Sequence, residues 1–263
     1  NSHFDNVVSH HSGGVIATDG VNQGLSNAKN KIYIDNSTFS NIKAYSDLFV
    51  DSSNAFGAGA DVTITNTVFT NIIGTQDTYS TFIEAKSLNM SNCVISNMDF
   101  NTKWDWIKIK EGNLDYNFWS SNDPDFSHIQ ITPNNWIVMT FDNESSVFKA
   151  TLNTLNDGSS YTDLNADVIF SDNLNPSTVR LDNGVAEAIL EKTLRVGEKV
   201  TATVGSLTLS LVFQHDIEGM SSEVTNAIRW QNGTVNITVE GKEDVTPTGN
   251  VTIWINNVPY TVD

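Results

Sequence analysis

The sequence predicts an all-β protein, a right-handed parallel β-helix (its C-terminal coils and cap) followed by immunoglobulin-like β-sandwich modules. Three observations carry this. A short phrase recurs as NSHFDNV from Asn1, NSTFSNI from Asn36, NTVFTNI from Asn66 and NCVISNM from Asn92, at intervals of 35, 30 and 26 residues. Beyond residue 130, alternating strand patterns recur at about ten-residue spacing. The chain of 263 residues has only 5 prolines, and Val, Ile, Thr, Phe and Trp fall in short runs between polar clusters, a mixture that favours strands and turns.

The repeat comes first in the chain. Its register aligns Asn1/Phe4/Asn6, Asn36/Phe39/Asn41, Asn66/Phe69/Asn71 and Asn92/Ile95/Asn97, followed by Val7, Ile42, Ile72 and Met98. Short alternating runs, KIYID, DVTIT and SLNMS, precede the last three copies, and apolar patches lie between them: GGVIA (13–17), DLFVD (47–51), STFIEA (80–85) and WDWIKIK (104–110). Each unit thus holds about three short strands, and its drifting length suits strand coils with variable loops. One coil cannot bury its apolar side chains alone, whereas stacked coils bury Phe39 on Phe69 and hydrogen-bond from rung to rung. Asn at a fixed corner suits left-handed backbone. Asn36, Asn66 and Asn92, with Asn41, Asn71 and Asn97, are therefore read as structural ladders of side-chain hydrogen bonds along the axis.

The spacing breaks at NLDYNFWSSNDPDF (113–126), where Tyr116 is followed at once by Asn117, one residue early. Pro124 ends strand continuity. An open β-helix end exposes apolar side chains and unpaired edges, so this aromatic segment, with Phe118, Trp119 and Phe126, is read as its cap.

Seven strand patterns follow: NWIVMTF (135–141), SVFKATL (146–152), ADVIFSD (166–172), STVRLD (177–182), GVAEAILE (184–191), EKVTATV (198–204) and SLTLSLVFQ (206–214). Turn chemistries such as DNES, NDGSS, DNLNP and DNG separate them. Seven short strands at this spacing indicate an immunoglobulin-like sandwich, without the Cys–Trp–Cys core of antibody domains. DIEGMSSEV then reads as a linker, and RWQNGTVNITVEG with GNVTIWINNVPYTVD supplies half of another sandwich. The expected domains are 1–129 for the β-helix and cap, 130–215 for the sandwich, 216–225 for the linker and 226–263 for the partial second module. An incomplete sandwich implies that the chain is a piece of something longer, or that these strands pair with another body.

Together these segments resemble the adhesin-like surface proteins of methanogenic archaea, in which a β-helix precedes bacterial-type Ig-like repeats. Asn117–Pro124 is similar to that family's N-[WY]-W-G-x-N-x-P run, with Phe118 in the Trp/Tyr place and Ser120 replacing glycine. Thr246–Thr252 is similar to the P-T-G-x-V-T turn of the repeats. The resemblance implies an extracellular, cell-surface adhesin or stalk whose partners are glycans or proteins of another cell.

Charge narrows the function classes. A net charge of −17 repels phosphate backbones and anionic lipid surfaces, which argues against nucleic-acid partners and interfacial attachment. No apolar run is long enough to span a bilayer directly, and no signal-peptide core is present. Cys93 is the single cysteine, which rules out an intrachain disulfide, and it takes the phrase position of Ser2, Ser37 and Thr67. It reads as a repeat substitution and not as a nucleophile. Residues 1–129 hold no arginine, and their carboxylates do not recur at one coil position, so no catalytic residues are assigned and an enzyme is not expected. A polysaccharide-degrading β-helix and a self-assembling filament subunit, its C-terminal strands completed by a neighbour, are the competing readings.

Few binding candidates emerge. Phe49, Phe82 and Trp106 take equivalent places in successive coils, with Trp104 beside the last. Alternation puts either these residues or Val50, Ile83 and Ile107 outside. Outward, the aromatics form a stripe for sugars or a protein partner; inward, the favoured placement, they are core. His10–His11, near His3, reads as surface, because adjacent strand residues face opposite ways. The turns at 123–125, 156–158 and 172–175 carry oxygens suited to structural calcium, but turn chemistry accounts for them, so no metal site or cofactor is assigned. Sequons occur at Asn36, Asn89, Asn143, Asn232, Asn236 and Asn250. Glycosylation is assigned to the last five, because the ladder uses the Asn36 side chain.

Overall fold

The computed structural model describes residues 1–10, 15–18, 30–44, 47–51, 60–75, 81–100, 105–192, 194–195, 197–213, 217–225, 234–241, 251–255 and 258–262. Among them every regular element is a strand, and no helix is long and apolar enough to cross a membrane. The protein is all-β. It divides into two compact units, one of Asn1–Thr193 with Val200–Leu211 and one of Leu194–Lys199 with Val212–Asp263.

The first unit begins with parallel strands. In chain order they are β1 (His3–Asp5), β2 (Ile16–Thr18), β3 (Lys31–Asp35), β4 (Thr38–Ala44), β5 (Asp47–Asp51), β6 (Asp61–Thr65), β7 (Val68–Gly74), β8 (Thr81–Ser91), β9 (Val94–Asp99) and β10 (Ile107–Asn113). β1, β4, β7 and β9 form one sheet in that order, and the repeated phrase is its register: Phe4 pairs with Phe39, Phe39 with Phe69 and Phe69 with Ile95. A rung spacing near 4.8 Å places each ring on the next. Phe4 lies on Phe39 at 4.8 Å and Phe39 on Phe69 at 5.1 Å, both nearly parallel. β3, β6 and the second half of β8 stack Ile32 on Val62 on Leu88, while β2, β5, the first half of β8 and β10 bring Ile16, Phe49, Ile83 and Ile107 into one backbone register. β8 is a continuous strand of 11 residues that covers two of the sequence patches at once.

The phrase asparagines turn the chain. Asn6, Asn36, Asn41, Asn66, Asn71, Asn92 and Asn97 all have left-handed backbone, with φ between 47° and 57°, a conformation that Asn tolerates better than most residues. Their side chains do not form one uniform ladder. Asn71 Nδ2 donates to Asn41 Oδ1 at 2.7 Å, but Asn41 donates to Asp5 and Asn66 to Asp35, each at 2.8 Å. The carboxylate just before a corner, an acceptor with two free oxygens, takes the place that the sequence reading gave to another amide.

The repeat does not break at residue 117. Tyr116 adopts φ 66° and occupies the corner of Asn92, whose amide donates to the Tyr116 carbonyl at 2.9 Å. Asn117 therefore stands over Cys93, and Phe118 bridges Val94 in parallel. Tyrosine in the corner hid the register from a search for asparagine. One more rung follows, because Ile137 N donates to Asn117 O at 3.0 Å and Asn117 bridges Trp136. The apolar core of the stack accordingly takes in Ile131 and Trp136, past the expected boundary at residue 129.

The rest of the first unit is two antiparallel sheets of four strands. Their strands are β11 (Ile137–Glu144), β12 (Val147–Leu155), β13 (Asp167–Phe170), β14 (Leu174–Asn175), β15 (Thr178–Arg180), β16 (Val185–Leu190), β17 (Lys199–Val204) and β18 (Leu207–Val212). The orders are β11-β12-β16-β14 and β15-β13-β17-β18. Alternate residues such as Phe148, Ala150 and Leu152, or Val168 and Phe170, are buried, and Phe141 of one sheet meets Phe170 of the other at 6.2 Å. β14 lies in the stretch that the sequence reads as a turn: two residues are too short a run for periodicity to mark.

In the second unit, β19 (Ile217–Thr225) pairs antiparallel with β20 (Thr234–Gly241), and β21 (Val251–Ile255) with β22 (Val258–Val262). Residues 216–225 are thus not the expected linker. Their Gly and Ser content reads as turn in isolation, but β20 supplies a register partner for each residue from Gly219 to Thr225.

Candidate ligand pocket

At the end of the parallel stack, the Asn97 corner within β9, the residue before β10 and the 119–125 segment converge on a pocket of about 230 Å³. Asn97 forms a corner within β9 in left-handed backbone, and the residue is exposed at the rim. Trp106 enters β10 half-buried. It stacks on Phe100 at 6.0 Å with planes 5° apart, and Trp119 stands nearly perpendicular to it, also at 6.0 Å. Trp119 continues into Phe126 and Phe126 into Trp136, each at 5.4 Å and edge-to-face. Phe118, next to Trp119 in sequence, is fully buried and Phe126 half-buried.

The loop that closes the pocket is pinned by one side chain. Asn122 donates to the Met139 carbonyl at 2.8 Å and accepts the Met139 amide at 2.7 Å, imitating a strand partner of β11. Asp123 and Asp125, on either side of Pro124, are thereby presented beside the tryptophans. Asp125 accepts the Ser127 amide at 2.8 Å, and its bonds to Ser127 hold its carboxyl below the usual carboxylate range. Ser121 and Ser206 add hydroxyls. The indole nitrogen of Trp119 and the Ser120 hydroxyl are buried with no partner in the protein.

Of the residues singled out as ligand-binding, Trp106 is the one that lines this pocket among the described residues. Phe82 is completely buried, 4.9 Å from Phe69. The expected column was also out of register: Phe49 pairs with Ile83, while the Phe82 amide donates to the Trp106 carbonyl. Thr81, Phe82 and Ile83 are all buried, so strict alternation fails at the start of β8. Trp104 lies outside the described residues, as does the side chain of Phe49. The sequence reading considered the 123–125 turn for calcium but did not place Asp123 and Asp125 beside the tryptophans, although an acid pair around Pro124 soon after Trp119 was a usable signal.

The remaining candidates are dispersed. Asn89 and Asn143 are exposed, Asn232 and Asn250 lie outside the described residues, and Asn236 is placed in β20 by its backbone alone. His3 and His10 are exposed, and His11 is outside the described set. Cys93 is buried, and burial pushes its thiol up to about 12. Among the described residues no three His, Cys, Asp or Glu side chains converge as metal ligands. In the turns considered for calcium, oxygens are engaged locally: Asp157 accepts from Ser159, and Asn173 from Ser171.

Compared with family models, curated proteins and solved structures, the chain has no match in any of the three.

Proposed function

We propose that this chain is a non-catalytic extracellular protein of the adhesin or stalk type, built as a capped parallel β-helix followed by immunoglobulin-like modules, and that it presents the Trp106–Trp119 pocket to glycans of another cell. The pocket carries the reading: two indoles beside Asn97, Ser121 and Ser206 combine the apolar faces and hydrogen-bonding groups on which sugars stack and dock. Parallel register with left-handed Asn corners supports the β-helix, and two four-stranded antiparallel sheets sharing Phe141 and Phe170 support the sandwich. The resemblance to methanogen surface adhesins points the same way.

A polysaccharide-hydrolysing β-helix needs one carboxyl kept protonated as general acid. Asp123 and Asp125 share the pocket, but the bonds to Ser127 shift Asp125 in the opposite direction. Asp125 is thus ill-suited to the general-acid role, and the reading stays with binding. A glycan array tests this with the whole chain and with Trp106→Ala, its folding checked by circular dichroism. The expected result is retention of a defined glycan set that the variant loses. No retention by the wild-type chain, or shortening of the glycan, overturns the reading.

A second reading, the filament subunit, draws on the second unit. β19–β20 and β21–β22 are separate two-stranded sheets, and Val258 and Tyr260 are about half exposed. A lone hairpin is marginal in water and gains from an added strand. Light scattering that gives a monomer with this segment protected from proteolysis eliminates it.

A further inference from the structure

This inference rests on the glycan-pocket reading above and names which sugars that pocket selects. Its wall carries two carboxylates, Asp123 and Asp125, and among the described residues lining it there is no lysine or arginine. The same wall holds Trp106 and Trp119, fixed by their contacts to Phe100 and Phe126. Indole attracts cations through its quadrupole, and a carboxylate within a few ångströms adds Coulombic attraction in a partly dry site. A neutral sugar gains only stacking and hydrogen bonds here, and an acidic sugar is repelled by the Asp pair and by the chain's net charge of −17.

A bare ammonium, or the end of a lysine side chain, would also suit the indoles and carboxylates. It would leave the Asn97 amide and the Ser121 and Ser206 hydroxyls without ligand partners. A polyhydroxylated ring offers acceptors and donors to such groups, and about 230 Å³ is room for one such ring. We propose that the pocket binds an amino sugar, holding its protonated amine between the tryptophans and the Asp123 and Asp125 carboxylates while Asn97 and the serines take ring hydroxyls.

Calorimetric titration of the whole chain with the glucosamine tetramer, its fully N-acetylated counterpart and tetralysine tests this. Acetylation removes the charge and keeps the ring, so the acetylated tetramer is expected to bind about tenfold more weakly or worse. The Asp123→Asn/Asp125→Asn variant keeps the side-chain acceptor for Ser127 and is expected to fold normally while losing the preference. Equal binding of the two tetramers, or a preference that survives in the double variant, overturns the amine assignment and leaves the glycan pocket standing. Tetralysine binding more tightly than the glucosamine tetramer also overturns it, in favour of a peptide amine. If neither sugar binds and the array is blank as well, both readings fall.

Discussion

Asn117 stands over Cys93 and its side chain holds that register. Its Oδ1 accepts the Cys93 amide at 3.0 Å, while Nδ2 donates to the carbonyls of Met90 and Leu114 at 2.7 and 2.8 Å. Both residues belong to a buried column with Ser37 and Thr67. In the first three rungs the side chain turns back to the carbonyl two residues earlier: Ser37 to Asp35 at 2.9 Å, Thr67 to Thr65 at 2.7 Å, Cys93 to Ser91 at 3.2 Å. The column is thus one repeated corner bond, and Asn117 extends it to the aromatic end where the pocket lies.

Removing that amide strands several buried groups. Asn117→Ala is expected to cost about 3 kcal/mol in urea unfolding, since each buried unpaired group costs roughly 1–3 kcal/mol. Cys93→Ser restores the hydroxyl used at Ser37 in nearly the same volume and is expected to cost under about 1.5 kcal/mol. If Cys93→Ser proved the more damaging of the two, the column would owe its stability to packing and not to the corner bonds.

At the exposed corner of Asn71 the backbone and the side chain can be separated. Asn71→Ala loses both the bond to Asn41 and the residue's tolerance of φ 56°, for about 2 kcal/mol in total. Asn71→Gly loses the bond but keeps the left-handed conformation at little steric cost. Thermal unfolding should rank glycine above alanine, and equal melting points would remove the backbone argument.

Gly112 has no room for a side chain. An added Cβ would lie 1.9 Å from the Leu88 carbonyl oxygen, at φ +153°, in the rung where Gly112 pairs with Leu88. Gly112→Ala must push β10 off β8 and should cost more than about 2 kcal/mol, with Trp106 fluorescence reporting the disturbance. An unchanged melting point contradicts the close approach.

Acid should loosen the outer corners. Hydrogen bonds from Ser40 and Asn41 lower Asp5, and those from Thr65 and Asn66 lower Asp35, both from an ordinary 3.8. A carboxyl depressed on folding stabilises the fold above its unfolded value and loses that contribution as pH falls through its folded one. Stability should therefore be level above about pH 5 and decline below pH 4. Asp35→Asn should be less stable at neutral pH and flatter in the acid limb. A decline that is just as steep in this variant would place the acid sensitivity elsewhere.

Alkali acts on buried protonated groups. Burial raises Tyr161, which donates to Asn92 Oδ1, from 10.0 to about 12, and raises Cys93 from 9.0 to about 12. Groups raised on folding contribute below their unfolded values and lose that contribution as pH climbs toward 12. Tyr161→Phe should flatten the stability profile between pH 10 and 12. The Cys93 thiol should stay silent to thiol reagents at pH 8 until the chain unfolds, and prompt labelling of native protein would contradict its burial.

What could be read in advance followed from strictly local rules. The rings of Phe4, Phe39 and Phe69 and the left-handed corners of Asn36 and Asn71 repeat because each rung poses the same problem of turning and burial, so one phrase answers it each time. The register that carries the pocket was harder to read. Tyr116 takes a corner without being asparagine, and β8 starts with Phe82 and Ile83 both buried, so pattern matching slipped by one residue at both places. Residues 217–225 became a strand through pairing with β20 alone.

By itself the sequence determined an all-β chain, its repeated corners, its stacked rings and an acidic surface, because composition, period and turn chemistry act within a few residues. Only the tertiary structure decided that Asn97, Trp106, Trp119, Asp123 and Asp125 share one pocket. They come from a corner within a strand, the residue before a strand and a loop pinned by Asn122 to Met139, and rung stacking with long-range hydrogen bonds, which no local pattern encodes, brings them together.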